Sequence, residues 1–137
     1  MSDMTVKRVD EMERTFGGAF VLARASLGVT SFGMQVLDLP PGWAGPEHAH
    51  EGMTGDLAIA NDGQEEVYFA LQGSAALLVE GGEVPLEPGV MVRCGPSQVR
   101  QLVTHDGPAQ VLVVGAIPGR PYTPPAFTEV EAASAGE

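Results

Sequence analysis

The chain is predicted to be all-β, a sandwich or barrel of short strands, on three observations. Turn-forming residues are abundant, with 18 glycines and 11 prolines in 137 residues, against ordinary usage of roughly 7% and 5%. They fall between short apolar runs, for example at Pro40-Pro41-Gly42, Asp62-Gly63, Gly81-Gly82, Pro88-Gly89 and Gly95-Pro96, pairs that build tight turns. No long stretch shows helical periodicity, so crossover helices for βαβ units are lacking. With 44% hydrophobic residues, a chain of this length can bury a core as one domain, residues 1–137.

Taken in order, Asp10–Arg14 is expected to make one short helical turn, with Asp10 as N-cap and Glu13 at the third helical position. Strands are expected over Ala19–Leu27, Phe32–Leu39, Glu65–Gln72, Ala75–Glu80, Val90–Cys94, Gln98–Thr104 and Ala109–Ala116. Residues 1–30 then form an N-terminal segment, 31–117 the barrel and 118–137 an extended tail. In Glu65–Gln72, alternation sets Glu66, Tyr68 and Ala70 on one face and Val67, Phe69 and Leu71 on the other. The second set is wholly apolar and needs cover, which predicts a homodimer. Ala109–Ala116 is apolar on both faces, implying burial on both sides. Either the terminal segments or a second subunit supplies that cover. The proline-rich Pro118–Phe127, with two aromatic anchors, suits the task.

Charge narrows the function classes. The net charge of −11 disfavours nucleic acid and anionic membrane surfaces, both of which require a basic footprint. No Lys or Arg occurs between Arg24 and Arg93, while ten acids do, so this stretch should attract cations. The single cysteine, Cys94, has no internal partner and reads as a small buried hydrophobe. The N-terminal residues contain no signal-peptide-like apolar run, and the apolar stretch Val111–Ile117 is too short to span a bilayer. A cytoplasmic location is the expectation. Gly-x-Ser-x-Gly, P-loop and dinucleotide fingerprints are all missing.

Two of the three histidines stand at Glu47-His48-Ala49-His50. On a strand, residues two apart project to one side, so both imidazoles can reach one metal ion. Gly42-x5-His48-x-His50 followed by Glu66-x6-Gly73 resembles the first motif of the cupin superfamily. Gly89-x5-Gly95-Pro96-Ser97-Gln98-Val99-Arg100 resembles its second motif in weakened form. The resemblance spans about Gly42 to Thr104. It implies a small single-domain cupin, a double-stranded β-helix or jelly-roll barrel. It also implies a divalent metal held by His48, His50 and Glu66, with Arg100 where the family has a fourth ligand, His.

Two departures stand out. Fifteen residues, rather than three or four, separate His50 from Glu66, which predicts a long loop within residues 51–64 at the barrel mouth. Arg100 is never deprotonated enough to bind a metal. At ~6 Å and an effective dielectric of 20 it would repel a divalent cation by ~5 kcal/mol before screening.

Two sites are consistent with these residues. In one, His48, His50 and Glu66 hold a metal and Arg100 clamps an anionic group of a substrate, with Tyr68 and Gln98 on the same face as further substrate-binding residues. In the other there is no metal, Arg100 pairs with Glu66, and the imidazoles line a ligand pocket. The functional expectation is a barrel binding a small polar, carboxylate-bearing molecule, with a divalent metal, as an oxygenase, isomerase or lyase. The alternative is a metal-free binding or sensing module. His105 reads as an exposed loop residue, and Trp43, Met34, Met53 and Met91 as core or cavity residues.

Overall fold

The computed structural model describes residues 2–129, with the side chain of Ile59 left aside. Among the described residues, nine strands and one short α-helix follow one another: β1 (Arg14–Thr15), β2 (Phe20–Val21), α1 (Ala23–Leu27), β3 (Gly33–Leu39), β4 (Glu65–Gly73), β5 (Ala75–Val79), β6 (Gly82–Leu86), β7 (Met91–Cys94), β8 (Gln101–Val103) and β9 (Ala109–Ala116). They form a six-stranded sheet ordered β1-β2-β3-β9-β4-β7 and a three-stranded sheet ordered β6-β5-β8. Every strand pairing is antiparallel. The segment carrying the paired histidines runs alongside β8, through bridges Ala44↔Val103 and His48↔Arg100. The all-β jelly-roll barrel expected from the sequence is the architecture observed.

The core lies between the sheets. Leu37, Leu39, Tyr68, Ala70, Leu77, Leu86, Leu102 and Val111 are all buried in one cluster. In β4 it is therefore Glu66, Tyr68 and Ala70 that point inward, although this face carries the carboxylate and the phenol. Cys94 joins the same cluster. Gly73 ends β4 with φ +71°, a conformation that favours glycine, and a Cβ there would collide with the Pro108 carbonyl.

A second cluster covers the outside of the larger sheet. Met12, Val21 and Ala23 pack with Val36, joined by Met34 and Leu112. The outer face of β3 and β9 is thus covered by the N-terminal segment, which answers why Ala109–Ala116 is apolar on both faces. The proline-rich tail goes elsewhere: Tyr122, Pro125 and Phe127 line a cavity between the sheets. Residues 130–137 of the expected tail lie outside the described residues.

Several local expectations are corrected. The N-terminal turn is a 3-10 turn over Val9–Glu11 whose N-cap, Arg8, makes no side-chain cap; Asp10 instead pairs with Arg8. The strand expected over Ala19–Leu27 is only β2, followed by α1, because Gly28 takes φ 81° and closes the helix by donating its backbone N–H to the carbonyls of Arg24 and Ala25. The hairpin partner β6 was hidden by Pro85, its fourth residue, which is exposed on an edge strand of the smaller sheet. Gln98–Thr104 shortens to β8. The 51–64 loop contains a 3-10 segment over Gly55–Ala60.

Candidate functional site

His48 and Arg100 exchange both backbone hydrogen bonds at 2.9 Å, which fixes the histidine segment against the start of β8. His50 is tied down by its N–H to the Pro96 carbonyl at 2.8 Å. The spacing of two turns both imidazoles inward, their ring centroids 5.2 Å apart. Glu66 reaches them from β4, beside Gly115 of β9. Donor atoms of His48, His50 and Glu66 lie within 4.8 Å of one another. The three residues form a group that can hold a metal ion.

Glu66 Oε1 is the hub. It accepts from Arg100 Nη2 at 2.5 Å and from the Tyr68 hydroxyl at 3.0 Å, and meets His50 Nε2 at 3.0 Å. None of these contacts uses Oε2. Burial opposes the Glu66 charge, but the hydrogen bond and charge of His50, then those of Arg100, outweigh it and hold the carboxyl at about 2. Burial likewise opposes a charge on His50. There the hydrogen bonds to Asp62, at 2.7 Å on Nδ1, and to Glu66 prevail and push it up to about 9. His48 moves the other way: burial lowers its pKa, and the contact between Nδ1 and the Pro46 carbonyl only partly offsets this. Burial also raises the Tyr68 phenol far above its usual range, keeping it a neutral donor.

Asp62 is the residue that sequence reasoning passed over, reading it only as part of an Asp-Gly turn. Its two oxygens accept from the Gln64 backbone N–H at 3.0 Å and side-chain amide at 2.6 Å. So braced, it orients His50, as carboxylates behind metal-ligating histidines commonly do. The extra residues between His50 and Glu66 therefore supply the carboxylate that positions one imidazole.

Arg100 is wholly buried. Besides Glu66 it binds the Tyr68 oxygen through Nε at 3.2 Å and the Gln98 carbonyl through Nη1 at 2.8 Å. The pairing with Glu66 is thus present, and Arg100 is not among the cavity-lining residues. Gln98 is not brought to the cavity either; its side chain is exposed and its amide donates to the Val99 carbonyl. Only its backbone serves the site. Tyr68 does line the cavity, as do Trp43 and Met34, whereas Met91 is exposed. His105 is exposed and pairs with Glu83.

The cavity encloses about 250 Å³. Its polar end holds His48, His50, Glu66 and Tyr68, and its walls are largely apolar, from Phe20, Leu37, Trp43, Leu57 and Val113.

No family model matches the chain, and no curated protein matches its sequence. Solved structures do match. A cupin protein from Bacteroides fragilis is 23% identical, with 92% of this chain and 96% of that one covered and a TM-score of 0.63. A sugar phosphate isomerase of the cupin superfamily from Silicibacter pomeroyi is 25% identical at a TM-score of 0.55, over 70% of this chain. The match spans only 57% of that isomerase chain. The Cupin_2 domain of an XRE family transcriptional regulator from Enterobacter cloacae is 17% identical, with 66% and 86% covered and a TM-score of 0.52. An isomerase and a regulator's domain thus share the barrel.

Proposed function

We propose that this chain, whose barrel is that of the cupin superfamily, binds a small molecule whose polar group meets a divalent cation held by His48, His50 and Glu66. The observation that carries this is the convergence of two imidazoles and one carboxylate on the inner end of an otherwise apolar cavity. The donor set fits a divalent cation: His48 is held neutral, Asp62 orients His50, and Glu66 stays ionised. Arg100 opposes the cation's charge, so the affinity is set below that of a four-ligand site.

When bound, the cation would act as a Lewis acid or activate oxygen, which places the activity among metal-assisted oxygenases, isomerases or lyases. The chain's own contribution is positional. The apolar walls hold the body of the ligand and exclude water, Tyr68 keeps its proton beside Glu66, and Arg100 fixes the carboxylate from behind. Because Arg100 is enclosed, the anchor first expected of it has to come from elsewhere in the cavity.

A second reading is favoured by the charge pattern. Arg100, Glu66, His50 and Asp62 alternate in sign along one hydrogen-bonded chain, which is self-neutralising without a cation. On that reading the barrel is a metal-free binding or sensing module. Elemental analysis of protein purified without a chelating tag separates the two. Bound metal in wild type, lost in His48→Ala, supports the first. Metal-free protein whose melting temperature is unmoved by manganese, iron, nickel or zinc establishes the second.

A homodimer is part of the same proposal. On the outer side of β4 and β7, Val67 and Phe69 are half-buried, while Leu71 and Met91 are 38% and 69% exposed. A second copy is the proposed cover, and a monomer in light scattering at micromolar concentration would refute it.

A further inference from the structure

The sequence offered Arg100 as an anion clamp, and the structure encloses it. Another arginine does reach the cavity. Arg24, in α1, is 5% exposed and, among the described residues, is the only Lys or Arg that lines it. A guanidinium has five N–H donors, and here they are incompletely used. Nη1 donates to the Val29 carbonyl at 2.8 Å and Nη2 to Glu129 Oε1 at 2.7 Å. Nε is buried with no hydrogen-bond partner among the described residues. A buried cation with an unspent donor is costly unless an anion attends it.

The anion in place is Glu129, which belongs to the C-terminal segment and is 41% exposed at its side chain. That segment closes one side of the cavity. Tyr122, Pro125, Phe127 and Thr128 all line it, and Phe127 meets Phe16 edge-on at 6.1 Å. Thr128 and Glu129 donate their backbone N–H groups to Pro125 and Ala126, so the carboxylate arrives on a single 3-10 turn, the kind of short element that rearranges at small cost.

We propose that Arg24 is the anion-recognising end of the cavity and takes the carboxylate of a small amphipathic ligand, and that Glu129 is the internal carboxylate which that ligand displaces. The proposal rests on the reading of the cavity as a small-molecule site but not on the metal. It assigns the ligand class as small organic acids with an apolar body. It also makes the C-terminal segment a competitor, so that ligand affinity reflects exchange of one carboxylate for another.

The test uses the full chain with EDTA present, which removes any carboxylate binding through a metal. Hexanoate and its neutral isostere hexanamide are titrated by calorimetry and ligand-observed NMR into wild type, Glu129→Gln and Arg24→Gln. Hexanoate is expected to bind roughly tenfold or more tightly than hexanamide, the scale of one charge-assisted pair. Glu129→Gln should widen that preference several-fold and leave hexanamide unchanged. Arg24→Gln should abolish it. Equal binding of the two probes to wild type and Glu129→Gln overturns the role of Arg24 while leaving the cavity reading intact. Weaker hexanoate binding in Glu129→Gln also overturns it, since Glu129 would then support the site rather than compete for it. Should Arg24→Gln fail to fold, Glu129→Gln with the two probes still decides. Binding of neither probe overturns the proposal and counts against the cavity reading as well, whereas metal content is measured separately and bears only on the cation.

Discussion

Metal affinity should be steeply pH-dependent, because a cation at this site must displace a proton from His50. The ring is flanked by Asp62 on Nδ1 and Glu66 on Nε2, and although burial disfavours its charge, those two contacts push it up to about 9. At pH 7 only ~1% of the protein then has His50 neutral, two pH units below its midpoint, which weakens binding by ~2.7 kcal/mol at 1.36 kcal/mol per unit. His48 adds no such cost, since burial keeps it below its ordinary value. The association constant for nickel or zinc should therefore rise close to tenfold per pH unit from about 6.5 to 8, and flatten toward pH 9. Isothermal calorimetry at pH 7 in two buffers of different ionisation enthalpy should show about one proton released per metal. Asp62→Asn removes the largest influence raising His50, so it should shift the flattening point to lower pH, while the affinity on the plateau falls because the orienting carboxylate is lost. A flat profile with no proton release would refute the reasoning, showing that His50 is not a ligand or is already neutral.

Other outcomes follow from the same network. In metal-free protein, His50 is raised above its unfolded value, so its contribution is fully present below about pH 6.5 and is lost as pH rises through about 9. Glu66 is depressed, so its contribution is present above about pH 4.5 and lost as pH falls through about 2. Urea denaturation across pH should therefore show greatest stability between those limits, at about pH 4.5–6.5. Arg100→Ala removes one of the two cations on the buried Glu66, leaving His50 alone beside it, and should cost ~3 kcal/mol; adding Glu66→Gln should restore a good part, and a strictly additive double mutant would show the pair to be uncoupled. Gly115→Ala places a Cβ 2.6 Å from Gln64 Oε1 and 3.1 Å from Glu66 Cγ. It should cost ~1–3 kcal/mol by overpacking and weaken metal binding; unchanged melting and affinity would show that the close approach of β9 to the site is not required.

Much of the barrel was legible from local pattern. Alternation in β4 separated Glu66 and Tyr68 from Val67 and Phe69, and β9 was bounded to the residue at Ala109–Ala116. Apolar periodicity and turn chemistry are properties of neighbouring residues, so they survive in the one-dimensional string. What failed was equally local in cause. Ala23–Leu27 contains apolar residues that suit either a strand or a helix, and only the left-handed Gly28 behind it settled the matter. The Gly82–Leu86 strand was masked by a proline that an edge position tolerates.

The sequence by itself determined the all-β class and the shared side of His48 and His50, because spacing along a strand dictates which side chains share a face; Glu66 as their carboxylate partner was implied by the resemblance to the cupin motif. It also placed an arginine where the family's fourth ligand would stand. Only the tertiary structure decided what each charge does. Whether an arginine faces a ligand or backs a carboxylate depends on burial and on partners more than thirty residues away, which no local pattern encodes. Arg100 is enclosed against Glu66 and Tyr68, Asp62 from a loop aligns His50, and Arg24 reaches the cavity from α1 to meet Glu129, 105 positions along the chain.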